Sequence, residues 1–255
     1  MTDQARRLSV AIEDSVAHLR IERPAKRNAL DDATIEQIRC FFESPPDVRV
    51  AIIEGAGAHF SAGLDLSEQL ERSAIDVVAH SHGWHKTFEA IEFGQFPVIS
   101  VLRGACIGGG LELAAATHVR VAERSAFFAL PEAQRAIFVG GGGSVRVSRL
   151  MGTSRMLEMM LTGRTYNAAE AERLSLVHYV VDDGAGLAFA RELAGKIAAN
   201  SAWANFAVLH ALPRIAGMSS GDGLFTESVV AALMQTSPEA RERISAFLTR
   251  KKGIA

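Results

Sequence analysis

The residues whose types and spacing suggest chemistry are two glutamates and the glycines near them. Pro97 to Leu113 reads PVISVLRGACIGGGLEL: an apolar run, three glycines, then the start of a helix. A helix N-terminus presents unpaired N–H groups and partial positive charge. Glycine leaves out the Cβ that would block an approaching group. The N–H of Gly109 is therefore a natural donor to an oxyanion. Glu112 lies in the first turn of the same helix. Its plainest role there is to compensate the helix dipole, worth about 0.3–1 kcal/mol. Against that, Leu111, Leu113 and three alanines surround it, and a carboxylate among apolar side chains needs a partner or a task. Glu132 follows a proline in FFALPEAQRAIFVGGGG, residues 127–143; taken alone, that segment reads as a solvated loop acid.

Other segments invite specific chemistry and fail its tests. GAGAHFSAGLDL, residues 55–66, follows an apolar run, but Phe60 stands where a dinucleotide fingerprint needs its third glycine. An ordinary tight loop fits it, as does a turn in which Ala62-Gly63-Leu64 aims a backbone N–H at a ligand oxygen. Gly140 to Gly143 resemble a phosphate loop, yet Ser144-Val145-Arg146 follows where G-K-[ST] is required, and no nucleophile elbow surrounds Ser144. His80, His82 and His85 in HSHGWH tempt a metal reading. On a helix only 82 and 85 are neighbours, so no metal site is expected. Cys40 and Cys106 are far apart, in no ligand pattern and in apolar surroundings, so they read as buried thiols rather than a disulfide framework.

The elements that must carry these residues alternate between strand and helix. Leu8 to Ile12 and Val16 to Glu22 alternate around a polar turn, predicting a β-hairpin. Asp31 caps a helix with Ile35, Ile38, Phe41 and Phe42 on its apolar face, stopped by Pro45-Pro46. Strands are predicted at 48–53, 97–102, 119–122, 127–130 and 177–181. Helices are predicted through most of 67–94, at 111–116 and from 143 onward. Residues 186–250 read as almost wholly helical, broken at Pro213, Gly217 and Pro238. The alternation predicts an α/β fold. A catalytic core over 1–190 is expected, followed by a helical region over 191–255 that caps or assembles subunits.

The chain has 255 residues, 48% apolar and 22% charged, which excludes a disordered or collagen-like chain. Lys plus Arg number 27 and Asp plus Glu 29, a net charge of −2, so nucleic acid is not an expected partner. Residues 1–7 are polar and hold no apolar run, so no secretory signal is expected. The most apolar stretch, 96–116, is interrupted by Arg103, Glu112 and glycines, so it reads as core and no membrane partner is expected. A reducing cytoplasm is the expected compartment. Arg23, Lys26 and Arg27, and again Arg250 to Lys252, form small basic clusters suited to solvent or to a phosphorylated ligand.

Taken together, five segments resemble the enoyl-CoA hydratase/isomerase (crotonase) family. They are RPAKRNAL at 23–30, HFSAGLDL at 59–66, FPVISVLRGACIGGGLELAAATHVRVA at 96–122, FALPEAQRAIFVGGGGSVRVSRLMG at 128–152 and MLTGRTYNAAEAERLSLVHYVV at 160–181. ALPEAQRAIFVGGGG is most similar to the (methylthio)acryloyl-CoA hydratase branch. The resemblance implies a crotonase-like spiral of ββα units with a C-terminal helical region that completes trimers or hexamers. It implies an oxyanion hole from the N–H groups of Leu64 and Gly109, and hydration of an enoyl-CoA by Glu112 and Glu132. Isomerisation is the alternative, and a non-catalytic acyl-CoA-binding member is a further one. It places CoA and substrate contacts at Lys26, Ala62, Gly63, Asp65, Leu66 and Gly108, with CoA phosphates near Arg250 to Lys252 of a neighbouring subunit. No cofactor is implied, because coenzyme A is part of the substrate. Two departures stand out: Ser175 replaces a usual glycine, and IFVGGGG stands where hydratases often carry a proline.

Overall fold

The computed structural model describes residues 6–68 and 71–252, with backbone alone at 68 and 250–252. The chain divides into two compact units, one ending at Ile197 and the next beginning at Ala198. The expected division at 190/191 falls inside a helix that belongs almost wholly to the first unit.

The first unit opens with β1 (Leu8–Glu13) and β2 (Val16–Ile21), an antiparallel hairpin. Asp14 and Ser15 both take positive φ, 47° and 63°, the two-residue turn whose twist matches such strands. In α1 (Asp32–Glu43) the Asp31 carboxylate accepts the Thr34 N–H at 2.9 Å, and Ile35, Ile38 and Phe42 are buried. Next come β3 (Val50–Gly55), two residues later than its apolar run suggested, and α2 (Ala74–Glu92), opened by a Ser73/Asp76 capping box. Then follow β4 (Val98–Leu102), β5 (Ala105–Ile107), α3 (Gly109–Ala116), β6 (Val119–Glu123) and β7 (Phe127–Ala129). The unit finishes with α4 (Gly143–Met151), α5 (Thr153–Thr162), β8 (Tyr166–Asn167), α6 (Ala168–Arg173), β9 (Tyr179–Val181) and α7 (Gly186–Ala198). β5 and β8 were not foreseen, because two or three residues are too few to show alternation.

The larger sheet runs β1-β2-β3-β4-β6-β9, parallel from β2 onward. A smaller sheet runs β5-β7-β8. The strand-strand-helix unit recurs as β4-β5-α3 and β6-β7-α4. Each unit places its first strand in the large sheet and its second in the small one. After β3 the second strand shrinks to one bridge, Ser61 against Cys106. Sequential units lie side by side, so the chain advances as a spiral. β3 and β4 are buried at every position, as expected of parallel strands covered on both faces.

The second unit holds α8 (Ala202–Ile215), α9 (Ser220–Gln235) and α10 (Pro238–Lys252). Pro213 does not break the helix there; it sits in the last turn of α8. The breaks expected at Gly217 and Pro238 are present: Gly217 lies between α8 and α9, where the Ser219 hydroxyl caps α9, and Pro238 opens α10. A further break precedes Ser201, whose hydroxyl caps α8. Among the described residues no helix is long and apolar enough to cross a membrane.

Candidate active site

Two backbone segments meet at the N-terminus of α3. In the first, Leu30 donates its N–H to Gly63 O at 2.8 Å and accepts from Asp65 N–H at 3.0 Å. Those two bonds use the outward groups on either side of Leu64, so the Leu64 N–H points away from Leu30. A Cβ on Gly63 would lie 2.5 Å from Ile107 O and 2.9 Å from Gly109 N. Gly63 takes φ +87°, so glycine suits both the close approach and the turn. In the second segment, Gly109 opens α3, where N–H groups lack intrahelical partners. Among the described residues neither the Leu64 nor the Gly109 N–H meets an acceptor. The Trp84 ring closes over Gly109, within 2.6 Å of where a Cβ would stand.

Every residue of α3 is buried, and Glu112 is its only charged one. Its Oε1 accepts the N–H groups of Gly141 and Gly143, each at 2.8 Å. This is the work of the glycine run that resembled a phosphate loop. A Cβ on Gly143 would lie 2.9 Å from Glu112 Cγ and Oε1. Burial pushes the Glu112 carboxyl up from its ordinary value, and the two N–H donors oppose that push. Glu132 is also buried, 7% exposed, and its Oε2 has no hydrogen-bond partner among the described residues. Burial first, with the charge of Glu112 adding to it, pushes Glu132 up to about 7. A Cβ on Gly108 would stand 2.8 Å from Glu132 Oε1.

Glu112, Glu132, Gly108, Gly109, Leu64, Ala62 and Leu66 all line one cavity of about 680 Å³. Lys26, Gly63 and Asp65 do not. Asp65 instead accepts from Arg23 Nη2 at 2.9 Å, Lys26 Nζ at 3.1 Å and the Ser67 hydroxyl at 2.7 Å. The Ser67 hydroxyl, then Arg23 and Lys26, hold its carboxyl well below the usual range. Arg23 also reaches Asp31 at 3.2 Å, so this network ties the 62–66 segment to the start of α1. The side chains of Arg250, Lys251 and Lys252 lie outside the described residues.

The α2 wall of the cavity was not foreseen. Trp84 lines it, with His80, Ser81, His82 and His85. Trp84 Nε1 donates to His80 Nε2 at 3.0 Å, and His80 Nε2 lies 3.0 Å from Asp32. Ser81 Oγ donates to Gly140 O at 2.5 Å. Among the described residues no three His, Cys, Asp or Glu side chains are grouped to hold a metal. The signal for this wall was the HSHGWH run itself, whose spacing sets 81 and 85 on one face and 80 and 84 on the next.

These features define a site with two carboxylates and two free N–H donors around one cavity. The chain belongs to the enoyl-CoA hydratase/isomerase family, whose model matches residues 11–253. It is 31% identical to enoyl-CoA hydratase EchA19 of Mycobacterium tuberculosis, over 91% of this chain and 89% of that protein. It is also 31% identical to the short-chain-enoyl-CoA hydratase of Clostridium acetobutylicum, over 94% of each. A solved Rhodopseudomonas palustris structure matches with a TM-score of 0.95 and 47% identity, covering 98% of this chain and 97% of that one. The fold is the α/β crotonase fold of these relatives.

Proposed function

We propose that this protein is an enoyl-CoA hydratase that adds water across the 2,3 double bond of an enoyl-CoA thioester. One observation carries the reading: two buried glutamates and two unpartnered N–H groups share a single cavity. The thioester oxygen sits between the N–H groups of Leu64 and Gly109. Water adds at Cβ, and negative charge moves to that oxygen as an enolate forms. Losing one such donor typically costs about 2.7–4 kcal/mol of transition-state stabilisation. Glu112, gripped at one oxygen by two N–H groups, takes the proton of the attacking water. Glu132, whose carboxyl burial pushes up to about 7, gives a proton to Cα. Proton transfer of this kind contributes about 10²–10⁴-fold. Two carboxylates and two N–H donors supply every step, so the reaction as proposed draws on no metal or redox cofactor.

Coenzyme A belongs to the substrate, its contacts expected from the 62–66 segment. (Methylthio)acryloyl-CoA is among the first substrates to assay, because ALPEAQRAIFVGGGG at 129–143 resembles that branch of the family. We place the enzyme in the cytoplasm, where its two free cysteines stay reduced: Cys106 is buried as expected, but Cys40 is exposed, because it falls off the apolar face of α1. The alternative is double-bond isomerisation. One carboxylate suffices to shuttle a proton between two carbons, and the presence of two favours hydration. Absorbance at the conjugated enoyl-thioester band tests the reading. Crotonyl-CoA is expected to bleach on addition of enzyme. A rise with a 3-enoyl-CoA and no bleaching of crotonyl-CoA would establish the isomerase instead. No change with either, under saturating conditions, would point to a non-catalytic acyl-CoA-binding protein.

A further inference from the structure

Glu112 is held by a loop, and the loop is itself held. Arg146, on α4, is only 8% exposed. Its Nε pairs with Glu92 Oε2 at 2.6 Å, and Glu92 is the last residue of α2. Its Nη1 donates to Gly141 O at 3.2 Å. The same Nη1 fills the space that a Cβ on Gly142 would need, and Gly142 takes φ +96°. The carbonyl that Arg146 grips therefore lies between the two N–H groups that Glu112 accepts, those of Gly141 and Gly143. Without that grip the 140–143 loop is free to shift, which would carry the Gly141 and Gly143 N–H groups away from Glu112.

We propose that Arg146, anchored by Glu92, is a positioning residue for Glu112: by holding the Gly141 carbonyl it fixes the 140–143 loop where the Gly141 and Gly143 N–H groups both meet one carboxylate oxygen. This rests on Glu112 as the base proposed above. The same guanidinium also holds the Glu112 carboxyl down by its charge. The groups facing Glu112 are few. Arg146 faces it from α4 and Glu132 from the turn after β7, while the rest of α3 is apolar. From α2 come the Trp84 and Phe88 rings over Gly141, with the His85 ring near Gly142.

The test uses Arg146→Met, Arg146→Lys and Glu92→Gln in the full-length protein, with two readouts. The first is the pH profile of crotonyl-CoA hydration. The second is the titration of the Glu112 carboxyl by ¹³C NMR, assigned by its loss in Glu112→Gln. In Arg146→Met, kcat is expected to fall about tenfold or more through misplacement of the base, with KM within about threefold. The Glu112 titration and the acid limb of the profile both move to higher pH, because a positive charge and two aimed donors have been lost. Arg146→Lys restores the charge without the fork, so the titration returns most of the way while kcat recovers only in part. Glu92→Gln lowers kcat with no upward move of the titration. If Arg146→Met fails to fold, the lysine and glutamine variants decide the matter by the same two readouts. A purely structural role lowers the melting temperature alone. Folded variants with wild-type kcat and an unmoved Glu112 titration would overturn the proposal. The NMR readout stands even if crotonyl-CoA is not hydrated, so failure of the hydratase reading is told apart from failure of this one.

Discussion

At the scale of single residues, the two glutamates differ in what surrounds them, and that difference makes a pH prediction. Glu132 has no donor on its Oε2 and is pushed up to about 7, against about 4.3 for an ordinary glutamate. The folded protein therefore keeps a proton that the unfolded chain has already released. Stability from this group is full below the unfolded value and is lost as pH rises through about 7. Glu132→Gln should thus raise the melting temperature more at pH 8 than at pH 5, which thermal melts across that range will show; an equal change at both would contradict the buried, raised carboxyl. A second prediction concerns the two N–H donors. Leu64→Ala should leave kcat nearly unchanged, because position 64 acts through its backbone. Gly109→Pro removes its donor outright and should abolish turnover. Circular dichroism must first show the proline variant folded, after which near-normal turnover would remove the oxyanion-hole assignment.

At the scale of elements, what was legible in the sequence was what is local. The hairpin, the Asp31 cap and the glycine-opened helix bearing Glu112 each occupy one short stretch. The job of Gly140 to Gly143 was not legible, because the carboxylate they grip lies 29 and 31 residues upstream. Trp84 over Gly109 was hidden for the same reason. The pairing of Asp65 with Lys26, and through Arg23 with Asp31, was likewise hidden by separation in sequence. Ser175, by contrast, gains a local explanation. It takes φ 62° just past α6, with its N–H on Glu172 O at 3.0 Å and the Leu176 N–H on Ala171 O at 2.8 Å. This is the helix ending that favours glycine. Relieving the left-handed conformation offsets glycine's extra unfolded-state entropy, so Ser175→Gly should match or exceed the parent's stability by up to about 1 kcal/mol. Urea denaturation checks this, and a clear loss of stability would contradict it.

At the scale of the whole molecule, the second unit leaves large apolar side chains uncovered. Leu224 is 64% exposed, Phe225 72% and Leu233 68%, with Val229 beside them. Met234 borders the same surface. Scattered apolar side chains are ordinary on a surface, but a run of this kind on helices marks an association site. We expect these helices to join subunits into trimers or hexamers. Light scattering at micromolar concentration should give a multiple of the 27.3 kDa chain, and Leu233→Glu should shift it toward the monomer. A monomeric parent protein would show that these helices serve their own unit alone.

The account depends most on Glu112 and Glu132 acting as a pair on the substrate. The measurement that tests it most directly is the kcat for crotonyl-CoA hydration in Glu112→Gln, Glu132→Gln and the double variant. Glutamine keeps the size and one acceptor but exchanges no proton. Each single variant should lose at least about 10²-fold in kcat, with CoA-thioester affinity changed only a few-fold. The double variant should lose much less than the product of the two, because groups that act as a unit are not additive. If Glu112 served only the helix dipole and Glu132 only a loop, the first variant would change the melting temperature and the second almost nothing. Full activity in either single variant would contradict the two-carboxylate mechanism.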